Sequence, residues 1–356
     1  MIARPAFQDW AAAFPLTRGL AKRRALALFD LTAGFVYSQV LRAVVELDLL
    51  DRLAEGPRSV AELAAETGLP PDRAERLLAA AASLELLARV DGGYRLGQVG
   101  AALRGLPGVA EMVRHHDLLY RDLADPVALF RGEATPELAR FWGYVGGHRT
   151  HALSAEETAP YTRLMAATQT MISAEVLASY PVRRHRHLLD IGGGDGSFLQ
   201  AAAARASRLQ VTLFDLPAVA AQAEVRFAGS GLSPRARAVG GDFFADALPV
   251  GADAVSLLRV LYDHDDGPAL EILRRAFAAL PPGGSLIVGE PMAETPGAPR
   301  VGDAYFSLYI LAMTHGRPRS AQALTELIAA AGFVEIRRRR TRRPFLTGLI
   351  TARRPS

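Results

Sequence analysis

The pattern of apolar and polar positions divides the 356-residue chain into two textures. In the first half, apolar residues recur three and four apart, the spacing of helices. The stretch LFDLTAGFVYSQVLRAVVELDLLDRLAEG predicts a long helix with apolar residues on more than one face, as expected of a helix buried between subunits. Further on, Ser59 can cap a helix with Glu62 three positions later, and Val60, Leu63 and Ala64 form its stripe. Gly68 stops that helix, and LPPD restarts the chain into a second one carrying Ala74, Leu77, Leu78 and Ala81. LLARVDGGYRLG then predicts two short strands around an Asp-Gly-Gly turn. From about 101 to 180 more helices follow, ending in YTRLMAATQTMISAEVLASY.

From Arg186 onward, short β-rich runs alternate with alanine-rich helical stretches. The runs HLLDIGG, QVTLFDL, DAVSLLRVL, SLIVGEP and LTGLITA predict a mostly parallel sheet covered on both faces. Ligands in such sheets bind beyond the carboxyl ends of the strands. The expected division is residues 1–100 helical and winged-helix, 101–180 a helical connector contributing to a substrate pocket, and 181–356 a ligand-binding sheet domain.

Helix, turn, helix, hairpin is a winged-helix pattern, which serves either DNA binding or subunit pairing. The second helix, PDRAERLLAAAASLELL, offers Arg73 and Arg76 but little else to read base edges. Its alanine and leucine surface suits helix-on-helix packing, so a homodimer is expected and nucleic acid is not. Composition adds limits. The formal charge is +4, and EIRRRRTRRPF and the final ARRPS supply much of the excess, read as a solvated face or a patch against anionic headgroups. There is no cysteine, which excludes disulfides and thiolate chemistry and suits the cytoplasm. No uninterrupted apolar run approaches the roughly 18 to 20 residues that span a bilayer. The histidines and acids show no ligand spacing, so no metal is expected.

Chemistry concentrates at four strand ends. In LLDIGGGDGSF, Gly192, Gly194 and Gly196 let the backbone approach a ligand closely. Serine at 197 departs from the dinucleotide fingerprint. LFDLP places Asp215 about 20 residues on, where an acid reaches a ribose diol. GGDFF offers Asp242 and the ring of Phe243 for an adenine, and LLRVLYDHDD ends the fourth strand.

The series DIGGGDG, FDLP, GDFF and a basic residue before the 260s loop, with a winged helix ahead of it, resembles the plant-type class I O-methyltransferase family. Such enzymes use S-adenosyl-L-methionine on a Rossmann-like, doubly wound α/β sheet, and in that family the winged helix serves dimerisation. Nearly the whole chain is covered. AAAFPLTRGLAKRRALALFDLTAGFVYSQVL, HHDLLYRDLADPVALFRGE, GDAYFSLYILAMTHGRPRS and RPFLTGLI look like its carotenoid branch, which methylates the tertiary C-1 hydroxyl of hydroxyneurosporene or demethylspheroidene. The resemblance implies Gly192 and Gly194 against the methionyl part of the cofactor. It puts Asp215 and Leu216 at the ribose, Asp242 and Phe243 at the adenine, Arg259 as a basic contact, and Gln169 near the cofactor's carboxylate. Tyr161, Met165 and Met313 are expected to line the substrate pocket.

The family's base motif is Leu-His-Asp-Trp, and this chain has Leu261, Tyr262, Asp263 and His264 instead. Of the two glutamates that orient the base, Glu290 is present and the other is replaced by Pro318. Alignment of an activated methyl with its acceptor supplies several kcal/mol, and a positioned base about 10²–10⁴-fold more. A tyrosine of pKa about 10 is only ~0.1% ionised at pH 7. Tyr262 is therefore expected to orient the hydroxyl, with the proton passing to water, His264 or His315. Three other readings remain open: an aromatic polyketide acceptor, a tetrapyrrole carbon, and a regulator that binds the cofactor without chemistry. A surface touching membrane is expected if the acceptor is insoluble.

Overall fold

The computed structural model describes residues 2–141 and 155–356, with side chains between 141 and 163 outside the description. The chain forms two compact units, 1–106 and 107–356. The segment expected as a connector, 101–180, begins in the first unit and otherwise belongs to the second.

In the first unit, α1 (Pro5–Ala13) and the 29-residue α2 (Arg18–Glu46) precede a short α3 (Leu49–Arg52). By length and composition α2 is apolar enough to cross a membrane, although charged residues interrupt every apolar run. Only Val44 and Val45 of α2 are buried in the single chain. Then come α4 (Val60–Thr67), α5 (Pro71–Ser83), the hairpin β1 (Leu87–Val90) and β2 (Gly93–Leu96), and α6 (Gln98–Arg104). Ser59 and Glu62 form the expected reciprocal capping box, and Gly68 ends α4 in the left-handed conformation. The wing gains a bridge, because Tyr94 pairs with the backbone of Arg58. Val44, Leu49, Leu63, Leu78, Ala81 and Leu87 close one small core.

The second unit opens with α7 (Val109–Asp122), α8 (Pro126–Arg131), α9 (Glu137–Phe141) and α10 (Ala155–Ser179). There follow β3 (His187–Ile191), α11 (Ser197–Arg205), β4 (Gln210–Asp215), α12 (Pro217–Gly229), β5 (Ala236–Gly240), β6 (Ala254–Leu258), α13 (Asp266–Ala279) and β7 (Ser285–Glu290). A π-helical turn over Arg300–Phe306 runs into α14 (Ser307–Ala312), then α15 (Ala321–Ala330), β8 (Val334–Arg339) and β9 (Gly348–Arg353). The strand order is β5-β4-β3-β6-β7-β9-β8, with the first five parallel and β9 antiparallel to both neighbours.

Alternate residues of one strand serve opposite faces. Leu188 joins α10, α11 and α12 on one side, while Leu189 and Ile191 join α13 and α15 on the other. Because both faces are covered, β6 and β7 are buried along their whole length, which is why they read as continuous apolar runs. The arginine-rich run, expected as a solvated face, begins in the edge strand β8, whose side chains are nearly all exposed. Charged side chains on an unpaired edge oppose strand addition by other chains.

Candidate active site

The carboxyl ends of β3, β4, β5 and β6 surround a cleft of about 1070 Å³, part of it open to solvent. Gly192 leaves β3 with φ of +68°, and a Cβ there would lie 2.8 Å from Val260. Two residues on, Gly194 has φ of +61°, and a Cβ would meet nothing, so its backbone borders free space. The Gly194 N–H donates to Asp215 Oδ2 at 2.8 Å, and the Leu216 N–H donates to Oδ1 at 2.7 Å. The acid at the end of β4 is thereby tied to the glycine loop. Burial raises its pKa to about 6, against the pull of those two amides. Asp190, inside β3, accepts from Ser256 Oγ at 2.5 Å across the β3–β6 register, and burial raises it to about 7.

At the end of β5, Asp242 Oδ1 accepts from the Phe244 N–H at 2.8 Å, which shapes the turn carrying Phe243. The Phe243 and Phe244 rings meet the His264 ring edge-on at 5.6 and 5.4 Å. Burial and the Arg319 charge lower the pKa of His264 to about 4, so it is neutral at pH 7. Arg259, with φ of +57°, turns at the end of β6 and donates to Thr168 Oγ1 at 2.8 Å and to the Met165 carbonyl at 3.0 Å. It fastens α10 over the cleft.

The loop after β6 is held from two sides. Glu290 Oε1 accepts from the N–H groups of Val260 and Leu261 at 3.1 and 2.9 Å. Arg319, itself buried, donates to the carbonyls of Leu261 and His264, both at 2.7 Å. Between these clamps Asp263 is buried on the cleft wall, and among the described residues its Oδ1 has no hydrogen-bond partner. Burial and the nearby Glu290 carboxyl push its pKa well above the usual range, opposed by Arg259. Glu290 is raised to about 7 by burial.

One cleft thus gathers Gly192, Gly194, Asp215, Leu216, Asp242, Phe243, Arg259, Gln169, Met165 and His264, all singled out from sequence. Tyr262, Glu290, Met313 and His315 do not line it. His315 is exposed, on the turn after α14, which leaves it without the contact expected of a proton acceptor. Tyr262 and Met313 lie together in an apolar cluster with Leu119, Leu138, Tyr309 and Ile310, against which Met165 packs. There Tyr262 meets Phe306 edge-on at 6.3 Å. His115 and His116 of α7 reach into the same cluster and bond the hydroxyls of Tyr309 and Tyr305 at 2.7 and 2.8 Å. The Tyr161 side chain lies outside the described residues. Sequence reasoning passed over Asp263, Asp190, Phe244 and Arg319; the first stood in the acidic cluster already under scrutiny, while nothing around Arg319 marked it.

The chain matches the O-methyltransferase domain family over residues 120–334 and the O-methyltransferase dimerisation domain over 29–104. The chain belongs to the O-methyltransferase family. It is 46% identical to demethylspheroidene O-methyltransferase of Cereibacter sphaeroides over 98% of this chain and 92% of that one. Against the enzyme of the same name from Rhodobacter capsulatus the identity is 43%, over 96% and 85%. Human N-acetylserotonin methyltransferase, solved in complex with S-adenosylmethionine, superposes with a TM-score of 0.75 at 26% identity, covering 94% of this chain and 98% of that one. This O-methyltransferase takes its methyl group from S-adenosylmethionine, and the free space beside Gly194 with acids at two strand ends fits such a nucleoside.

Proposed function

We propose that this O-methyltransferase methylates the tertiary C-1 hydroxyl of an acyclic hydroxylated carotenoid, acting as a homodimer. The observation that carries the acceptor class is the 46% identity to demethylspheroidene O-methyltransferase spread over 98% of the chain. Met165 supports it, since this residue lines the cleft and joins it to the apolar cluster around Tyr262 and Met313, a side suited to a hydrocarbon chain.

The positions of the side chains around the cleft support the following roles. Asp215 accepts hydrogen bonds from the ribose hydroxyls, and Phe243 with Asp242 flanks the adenine. Gly192 and Gly194 let the backbone approach the methionyl part, and Arg259 and Gln169 hold its carboxylate end. S-adenosylmethionine, when bound, supplies a methyl group activated on a sulfonium sulfur. The protein aligns the acceptor oxygen, excludes water and takes the proton. Met165 orients the acceptor from the cleft wall, and Tyr262 backs it from the apolar cluster behind. Asp263 Oδ1 accepts the hydroxyl proton as the oxygen–carbon bond forms and the carbon–sulfur bond breaks. Burial and the nearby Glu290 carboxyl raise the Asp263 pKa, which makes its carboxylate a stronger base than an exposed one. His264, edge-on to both Phe243 and Phe244, belongs to the adenine end, and Glu290 acts by holding the loop that carries Tyr262 and Asp263.

Mass spectrometry of products from the pure protein, S-adenosylmethionine and a 1-hydroxycarotenoid tests the reading. One added methyl at the C-1 oxygen is expected. No methoxylated carotenoid, with turnover on an aromatic polyketide or a tetrapyrrole, overturns it.

A further inference from the structure

The N-terminal helices carry a surface that the O-methyltransferase reaction does not use. In α1 no residue is buried. Phe7, Trp10 and Phe14 lie along one side of it, with ring centroids 5.7 and 5.0 Å apart. The turn into α2 is closed by Thr17 Oγ1 donating to the Ala11 carbonyl at 2.7 Å. That turn presents Leu16, 86% exposed, and Leu20, Leu26 and Leu28 are exposed along the start of α2. Among these residues stand Arg4, Arg18, Lys22, Arg23 and Arg24, all exposed, against a single acid, Asp9. The dimerisation match begins only at residue 29.

We infer that residues 2–28 form a docking surface for an anionic lipid bilayer. Aromatic and leucine side chains interleaved with lysine and arginine are what a headgroup boundary accommodates. The rings and leucines enter the acyl edge, and the cations stay at the phosphates. A second copy of the chain is a poorer occupant. A two-fold contact uses the same patch on both copies, so pairing residues 2–28 would gather the five cations and single acid of each copy into one interface. The inference deepens the carotenoid reading, on which it rests for its purpose: an acceptor dissolved in a bilayer is collected at that bilayer.

The test is flotation of the full-length protein with vesicles of phosphatidylcholine alone or with phosphatidylglycerol. Binding at least tenfold tighter to the anionic vesicles, weakening with salt, is expected. Two variants are compared: Lys22→Glu with Arg23→Glu and Arg24→Glu, and Trp10→Ala with Leu16→Ser. Both should lose at least tenfold in vesicle binding while keeping S-adenosylmethionine affinity by calorimetry, which shows them folded. The charge variant should also keep turnover on detergent-dispersed acceptor and lose it on acceptor embedded in anionic vesicles. Equal binding to both vesicle types, or variants that bind like wild type, overturns the inference. So does a charge or apolar variant that is monomeric by light scattering while wild type is dimeric, since the segment would then pair two copies. Vesicle flotation contains no carotenoid, so failure of the acceptor reading leaves its result standing.

Discussion

The proposed cofactor and acceptor halves of the candidate active site are built on opposite plans. The cofactor half hangs on strand ends, with each acid tied down by backbone amides or a neighbouring hydroxyl: Asp215 by Gly194 and Leu216, Asp242 by Phe244, Asp190 by Ser256. The acceptor half is an apolar cluster, with polar groups brought in from several helices, among them Tyr309, Tyr305, His115 and His116. A rigid, locally encoded half suits a ligand common to a family. A half assembled from distant helices can change its acceptor without disturbing the other.

The largest effect expected is on the first half. Asp215→Ala should weaken S-adenosylmethionine binding by about 100-fold or more in calorimetry, since the buried charged acceptor proposed for two ribose hydroxyls is lost. Little change would break the assignment. Asp263→Asn tests the second half: turnover should fall by about 10²-fold with cofactor affinity unchanged, the usual worth of a positioned base. If both parameters fall together, Asp263 belongs to the cofactor half instead.

Acid separates the halves again. Because the Asp215 carboxyl titrates at about 6, cofactor affinity should decline as pH falls through that value, by up to about tenfold per pH unit. An affinity flat with pH would remove Asp215 from the ribose. Tyr262→Phe should lower turnover by only about tenfold, the worth of one hydrogen bond steadying the loop that carries Asp263. Wild-type turnover at saturating acceptor would leave Tyr262 with packing alone.

Asp190 gives the narrowest test. Its pKa is raised in the folded chain, so the folded state retains a proton the unfolded state has shed. That stability is complete below the unfolded pKa of 3.8 and is lost as pH rises through about 7. Asp190→Asn cannot ionise. Its stability relative to wild type should therefore climb with pH across that window, by on the order of 4 kcal/mol in chemical denaturation. A pH-independent difference would mean the carboxyl is not strained by burial.

The same contrast explains what could be read from the sequence. Strand ends are local: glycine spacing, an acid after the second strand and Gly-Asp-Phe each occupy a few adjacent residues, so the cofactor half was legible. The winged helix was legible too, because Ser59, Glu62 and Gly68 act within their own helix. The acceptor half was not, since the contact of His115 with Tyr309 joins residues 194 apart. Arg319 likewise reaches back 58 residues to Leu261. Strand β8 was hidden for a different reason: at an edge, arginines serve as well as valines, and the apolar signal vanishes.

The place of β9 has a consequence for how the protein is made. The strand seated between β7 and β8 is the last in chain order. During synthesis β7 must therefore wait with one flank bare until residues 348–353 emerge, and a chain stopped short of them would expose that flank to other nascent chains. The sheet is thus closed only when the last of its strands to be made is seated.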